Sequence, residues 1–570
     1  MGNNKDVEAT LHDQTDLLPR KQLLIVFSVL AVSLLICFID QNGIGVILPT
    51  IARDLNAENT ISWAGTSALI ANTVFQVLYG RFSDLFGRRI VFVSALVLLA
   101  ISDLLCGLSQ SATMLYIFRG LAGVANGGIT SLAMMIVSDI VTLEERGKYQ
   151  GILGSMVGLG NVLGPVLGAA FAERSTWRGL FYLLCPTSII CAGLSWLLLP
   201  HNMPTVNYKE TIQKIDFAGL LSGSIAVIFL LIPISGGGSY FAWDSPMVIS
   251  MLTIGGLSLI AFVLIEWKFA KLPMMPLSLW TNPAVAALLI QNFFFGAVYY
   301  AYLYFLPLFY QNALGYSPMR SAVMTFPIVL TQTFFSIASG RYISHFKRYG
   351  EVLWSGFFIW TLGSGLTILF DTNFPVVAMV FILMAIGLGS GNTFQPTIVA
   401  LQAHCSKPQR AVVISNRNFL RSSGGAIALA SGAAVLQNVL KSHLPTDLKY
   451  LAASTYSTPD YSKFSESQKQ QIIASYVAAS RAVFIMLAPF MGVCLFACFL
   501  VKDKGLTRPD EVAVAQREPA DAESGSISNA GREKVDLVTD TANEGGDQIS
   551  RKSSDSKHSI DGVGIRSHSE

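Results

Sequence analysis

The feature that most constrains this chain is a succession of apolar runs, each close to or beyond 20 residues, separated by short polar connectors. A helix rises 1.5 Å per residue, so about 20 residues cross the hydrocarbon layer of a bilayer. On that template we read about fourteen segments, from Leu23–Pro49 to Tyr476–Val501. A soluble core has no place for so many, so the sequence predicts an all-α polytopic membrane protein.

Charge follows the same division. Only 13% of the chain is Asp, Glu, Lys or Arg and 52% is hydrophobic, where soluble proteins carry about 25% charge. The 39 basic and 36 acidic residues gather at the two ends and in the connectors. A secreted disulfide protein, a nucleic-acid binder and an ordinary soluble enzyme are disfavoured. Of seven cysteines, all but Cys405 lie in apolar stretches, with no spacing for a metal or a disulfide framework. No phosphate-binding GxxxxGK[ST] loop and no serine, cysteine or metal constellation is present, so neither an ATP-driven pump nor an enzyme is expected. No cofactor is expected either.

Lys and Arg orient the connectors. Arg81, Arg88 and Arg89 follow span two, Arg146 and Lys148 span four, Lys209 and Lys214 span six, and Arg341, Lys347 and Arg348 span ten. The connectors at 109–112, 236–245 and 371–375 have none. Every other loop is thus expected in the cytoplasm, with both termini there. Residues 1–21 form a polar N-terminal segment. Residues 502–570, rich in Ser, Asp, Glu and Lys, read as a disordered tail. The connector 441–475 is long enough for an external helix or strand pair.

An ionisable side chain in a spanning helix is costly and by default marks a pathway. Asp40 in span one and Arg119 in span four lie well inside their segments and carry opposite charge. Burial resists charge on a carboxylate while a nearby Arg favours it, and Arg itself does not release its proton. We therefore expect Asp40 to carry a proton and Arg119 to tune it. Asp103 and Arg481 stand near expected helix ends, where they can reach the interface, and Arg417 near the cytoplasmic surface. Span five reads GILGSMVGLGNVLGPVLGAA. Its small residues four apart permit close helix contact, and Pro165 permits a bend.

Several motifs resemble the major facilitator superfamily, in particular its fourteen-span drug:proton antiporter branch. GRFSDLFGRR is similar to the family's loop signature at Gly80, Asp84, Gly87, Arg88 and Arg89, with Phe82 in place of Leu. FRGLAGVANGG resembles its Arg-Gly element at Arg119, Gly120 and Gly123. The antiporter motif of span five is matched by Gly160, Gly164, Pro165 and Gly168, with Ala169 for the last Gly. FIDQNGIGVILP resembles the branch's first-span element at Asp40, Leu48 and Pro49, but Asn42 and Gly45 stand where Thr and Asn are usual. WRGLFYL, KIDFAGL, GLGSGNTFQPTIVALQ and RNFLRSSGGAIALA are weaker echoes.

The resemblance implies two six-helix bundles, residues 22–200 and 282–501, with a cytoplasmic connector and an inserted two-helix hairpin over 201–281. It also implies gating by Gly80, Asp84, Gly87, Arg88 and Arg89, and a proton gradient as energy source. The function expected is export of small organic molecules (drugs, xenobiotics or a toxin-like metabolite) by proton antiport with alternating access. Siderophore uptake, vacuolar amino-acid sequestration and a non-transporting sensor are alternatives. Partners are the substrate, protons and the bilayer, not nucleic acid, and the chain is expected to be a monomer. The plasma membrane of a fungus is the expected location, with the vacuolar membrane as alternative.

For the substrate wall, helical spacing puts Gln291, Phe295, Tyr299 and Tyr302 of the aromatic span nine on one face. That face suits a bulky amphipathic or aromatic compound, or is ordinary lipid-facing surface. Asn42, Asn126, Asn292, Asn392 and Gln395 complete the candidate cavity, with helix packing as the alternative for the amides.

Overall fold

The computed structural model describes residues 19–506 apart from 58–59, 62, 142, 201–215, 237–241, 270–274, 406–408 and 454–463. The expected cytoplasmic connector and nearly all of both terminal segments therefore lie outside the described residues.

Among the described residues the chain is all-α. The long helices are α1 (Arg20–Asp54), α2 (Trp63–Phe86), α3 (Arg88–Leu108), α4 (Ala112–Ile140), α5 (Leu143–Arg174), α6 (Arg178–Leu198), α7 (Phe217–Gly236) and α8 (Pro246–Lys268). They continue as α9 (Pro283–Asn312), α10 (Pro318–Phe346), α11 (Gly350–Leu366), α12 (Val376–Phe394), the short α13 (Pro396–His404), α14 (Arg410–His443) and α15 (Glu466–Ala497). Twelve helical segments, α12 and α13 counting as one, are long and apolar enough to cross a membrane. The two remaining long helices are α2, which carries Asn72, Thr73, Gln76, Arg81 and Asp84, and α7, whose apolar stretch Ala218–Ile234 is shorter.

Helix starts follow local chemistry. Ser245, Asn282 and Ser317 each accept a hydrogen bond from a first-turn amide and precede a proline. Each cap satisfies one of the free N–H groups, and proline at the first helical position gives up none that the helix needs. Ser465 and Gln468 form a reciprocal capping box that starts α15 inside the stretch read as an external connector. A short 3-10 helix, Thr446–Ala453, occupies another part of it. Span twelve, read as continuous, is broken at Gln395, because Pro396 has no N–H to continue the ladder of α12.

Helices α1 to α6 pack mainly on one another, as do α9 to α15, while α7 and α8 pair as a hairpin. The most apolar stretch of α4 is 83% buried and that of α8 only 11%, so α4 is an inner helix and the hairpin is peripheral. Ile70, Val74, Leu231 and Ala426 form a small cluster where α2, α7 and α14 meet. Large apolar side chains such as Leu257, Phe334 and Phe381 point outward, as a lipid-facing surface requires. Two junctions, α5 with α10 and α2 with α14, join the first six helices to the last group. The beginning of the region read as a tail is ordered against α11: Asp503 accepts hydrogen bonds from the amides of Tyr349 and Gly350.

Candidate coupling centre and inter-bundle junction

Asp40 lies in the middle of α1 and is fully buried. One of its oxygens accepts from Arg119 Nη1 at 2.5 Å and the other from Asn126 Nδ2 at 2.6 Å. Arg119 and Asn126 stand seven residues apart on α4, two turns along one face, so a single helix supplies both donors. The Arg119 guanidinium also lies 5.9 Å from the centre of the Phe181 ring.

A fourth group belongs to this centre. Asp103 of α3 is fully buried, faces Asp40 and Arg119, and accepts no hydrogen bond among the described residues. Its place near the C-terminal end of an apolar run suggested an interfacial position. The structure corrects that: α3 packs against α4 and α6, and Asp103 is fully buried on its inner face. The missed signal was periodicity, since Ala95, Leu96, Leu99, Asp103 and Cys106 share the buried face. Two carboxyl groups and one guanidinium thus share one buried centre.

Polar side chains lead from this centre to the other helix group. Gln41, next to Asp40, accepts from Asn72 Nδ2 at 3.2 Å, Gln76 donates to Asn72 at 2.6 Å, and Ser422 of α14 donates to Gln76 at 3.3 Å. On the other junction Asn42 donates to Asn161 at 2.9 Å, and Asn161 donates to the Tyr299 hydroxyl at 3.0 Å. Asn42 and Tyr299 therefore meet through an α5 amide that links α1 to α9.

The other expected cavity residues take different places. Gln291 donates to the Cys494 carbonyl and to Cys498 Sγ, joining α9 to α15. Tyr302 shares a hydrogen bond with Thr367, and Asn292 bonds Leu288 and Thr397. Phe295 packs on Trp360 and Phe394. Asn392 is part-buried beside Gly356 of α11. Of the aromatic face on α9, Tyr299 is the residue bonded to the first helix group. Gln395, at the break after α12, is buried, and its amide has no partner among the described residues.

In the loop between α2 and α3, Arg88 donates to Asp84 at 2.7 Å, to Asp139 of α4 at 2.9 Å, and to Ser83. Gly87 has φ +86°, which lets the chain turn directly from α2 into α3. Gly80 supplies the carbonyl that accepts from Ser83 at 2.8 Å, and Arg89 stacks over Trp196 at 4.5 Å. All these contacts lie within the first helix group.

The glycines of α5 serve two neighbours. A methyl on Gly147, Gly151, Gly154 or Gly158 would strike Gly340, Ser336 or Thr333 of α10, whereas one on Gly160, Gly164 or Gly168 would strike α1. The first set lets the two helix groups close against each other on the side of the Gly80–Arg89 loop. There Arg146 donates to Gln402 at 3.2 Å, Gln402 to Ser138 at 2.8 Å, and Ser336 to the Gly151 carbonyl at 3.0 Å. The second set, with Pro165 inside a continuous helix, forms a seam within the first group.

On the opposite side, beyond the apolar part of α1, Asp54 accepts from Trp177 at 2.9 Å and from Arg178 at 2.8 Å. Those two bonds hold its carboxyl below its ordinary range.

A fold of apolar helices around a buried ion pair, closed by a glycine seam between two helix groups, defines a membrane transporter. The chain belongs to the Major Facilitator Superfamily, whose family profile matches residues 30–429. It is 49% identical over 517 residues to "Citrate exporter 1" of Yarrowia lipolytica (strain CLIB 122 / E 150), covering 90% of this chain and 77% of that protein. It is 40% identical to "MFS-type transporter clz4" of Cochliobolus lunatus, over 89% of this chain and 90% of that one. In fold it resembles the major facilitator proton:xylose symporter XylE bound to 6-bromo-6-deoxy-D-glucose, with a TM-score of 0.54 at 14% identity, over 87% of this chain and 100% of that one.

Proposed function

We propose that this chain is a secondary active exporter of small organic molecules, driven by proton antiport, in the fourteen-span branch of its family. The observation that carries this reading is the buried Asp40–Arg119 pair with Asp103 beside it. Two carboxyls and one guanidinium hold one negative charge too many, and a single proton on either carboxyl makes the centre neutral. In a buried centre that charge balance matters, because an uncompensated buried carboxylate is strongly disfavoured. Gaining the proton also loosens the hold of Arg119 on Asp40. The movement can then pass to α2 and α5 through Gln41 and Asn42.

Alternating access would rock residues 22–200 against 282–501, opening and closing the α5–α10 seam. The antiporter motif in α5 supports export, as does the relative named for exporting citrate. That name adds small carboxylates to the drug-like and toxin-like compounds as a substrate class. The plasma membrane, both termini in the cytoplasm, and a monomeric carrier complete the reading.

The test is flux in proteoliposomes carrying the full chain, against a panel of organic acids, amphipathic cations, amino acids and iron chelates. Export of at least one compound should collapse when an ionophore dissipates the proton gradient. Flux indifferent to the ionophore would overturn antiport.

A further inference from the structure

Two arginines in the interior of α14 lie outside the coupling centre. Arg417 and Arg421 stand one turn apart and are 0% and 2% exposed. Two other arginines of the chain show how such a charge is compensated: buried Arg119 has Asp40, and part-buried Arg88 has Asp84 and Asp139. Neither Arg417 nor Arg421 is paired with a carboxylate among the described residues. Among the described residues Arg417 donates to neutral groups, the Phe394 carbonyl, Thr397 at 3.4 Å and Asn418 at 3.0 Å. Its Nε, and the Nε and Nη1 of Arg421, have no acceptor among the described residues. Both guanidinium groups lie over the same Phe394 ring, at 4.9 and 4.7 Å. An aromatic face attracts a cation, more strongly when both are desolvated. Burying a guanidinium costs more than that attraction returns.

Their neighbours lie against the first helix group. Ser422, the next residue, donates to Gln76 of the first helix group, and Asn418 reaches Met134 of α4 at 3.8 Å. Gln395 follows Phe394 directly and has a buried amide facing Gly154 of α5, without a partner among the described residues. The pair thus sits at the junction that alternating access would open, with unused donors on two neighbouring guanidinium groups.

We propose that Arg417 and Arg421 form the anion-binding subsite of the carrier, and that its substrate is a small organic acid bearing at least two carboxylates. Two guanidinium groups on successive turns balance two negative charges, and each offers a planar fork that matches a carboxylate. The Phe394 ring holds both forks in place. The same charges repel an amphipathic cation, so this site selects against that class. The inference rests on the exporter reading for its physiological meaning, but binding itself can be measured without a gradient.

The experiment is equilibrium binding to the purified full-length chain in detergent, with citrate, succinate, acetate, inorganic phosphate and tetraphenylphosphonium as separate probes. Citrate and succinate should bind, acetate and phosphate at least about tenfold more weakly, and tetraphenylphosphonium not at this site. Arg421→Gln should weaken citrate by about tenfold or more, the size of a lost charge-assisted contact, with Arg421→Lys intermediate. Size-exclusion profiles and melting temperatures identify any variant that fails to fold. For such a variant, protection of wild-type Arg421 from a guanidine-directed reagent by citrate replaces the mutational arm. Unchanged citrate affinity in a folded Arg421→Gln, no protection, or phosphate binding as tightly as citrate would overturn the proposal. Carboxylate binding that needs Arg421, with flux indifferent to the proton gradient, would leave this site standing and remove antiport. Gradient-driven export of a cation without carboxylate binding would do the reverse.

Discussion

Asp40 and Arg119, 79 positions apart in the chain, meet at 2.5 Å with almost no exposure on either side chain. Removing one member of such a pair leaves the other's charge buried, at a cost of about 3–5 kcal/mol. Here the cost is cushioned, because Asp103 stays beside Arg119. We expect Asp40→Asn to insert and fold, to exchange substrate across vesicles at equal pH, and to lose gradient-driven export almost completely. Wild-type accumulation by this variant would remove Asp40 from coupling.

Asp103 gives a separate prediction. If the two carboxyls share one proton, Asp103→Asn leaves only the balanced Asp40–Arg119 pair. Transport should then depend on external pH far less steeply than in the wild type, measured as initial export rate across a pH series. An unaltered pH profile would show that Asp103 is only a packed polar residue.

How much of this was legible in the sequence depends on whether one segment carries the information. Asp40 and Arg119 stood out because each is a charge inside its own apolar run, and Gly80–Arg89 because its spacing is local. Asp103 did not, since its meaning depends on which side of α3 faces α4. The α5 glycines announced close contact, but not that alternate sets face α10 and α1. Gln291 and Tyr302 share the helix face expected of a cavity, yet the Gln291 amide nitrogen and the Tyr302 hydroxyl bond to other helices of their own group. A helix face is visible in one sequence, whereas the partner that covers it is a tertiary fact. Pro396 was a visible breaker that the long apolar run around it concealed.

The two glycine seams should respond differently to added bulk. At Gly151 a side chain would meet the Ser336 carbonyl, across the junction that must open and close. Overpacking costs about 1–3 kcal/mol, so Gly151→Val should shift the closed population by about tenfold. Disulfide formation between cysteines placed at Lys148 and Ser344, now joined by a 3.0 Å hydrogen bond, reads that shift. At Gly160 the obstacle is Phe38, inside the first helix group. Gly160→Val should lower the melting temperature and leave the cross-linking yield of the folded fraction unchanged. Equal cross-linking in Gly151→Val would show that α5 and α10 do not form the moving seam.

Beyond the apolar part of α1, Asp54 fastens its end to the start of α6 through Trp177 and Arg178. Its carboxyl is held below the ordinary value of 3.8, first by the indole N–H and then by the guanidinium. A carboxyl whose folded-state pKa is lowered contributes stability above its unfolded pKa and loses it as pH falls through the folded one. The contribution should therefore be complete at neutral pH, begin to fade only near pH 3.8, and vanish below that. The Asp54 side chain is 47% exposed, so solvent screens the pair and the effect is small. Melting temperatures of wild type and Asp54→Asn should differ modestly at pH 6 and converge toward pH 3. A difference that grows on acidification would mean that Asp54 is not the acceptor that ties α1 to α6.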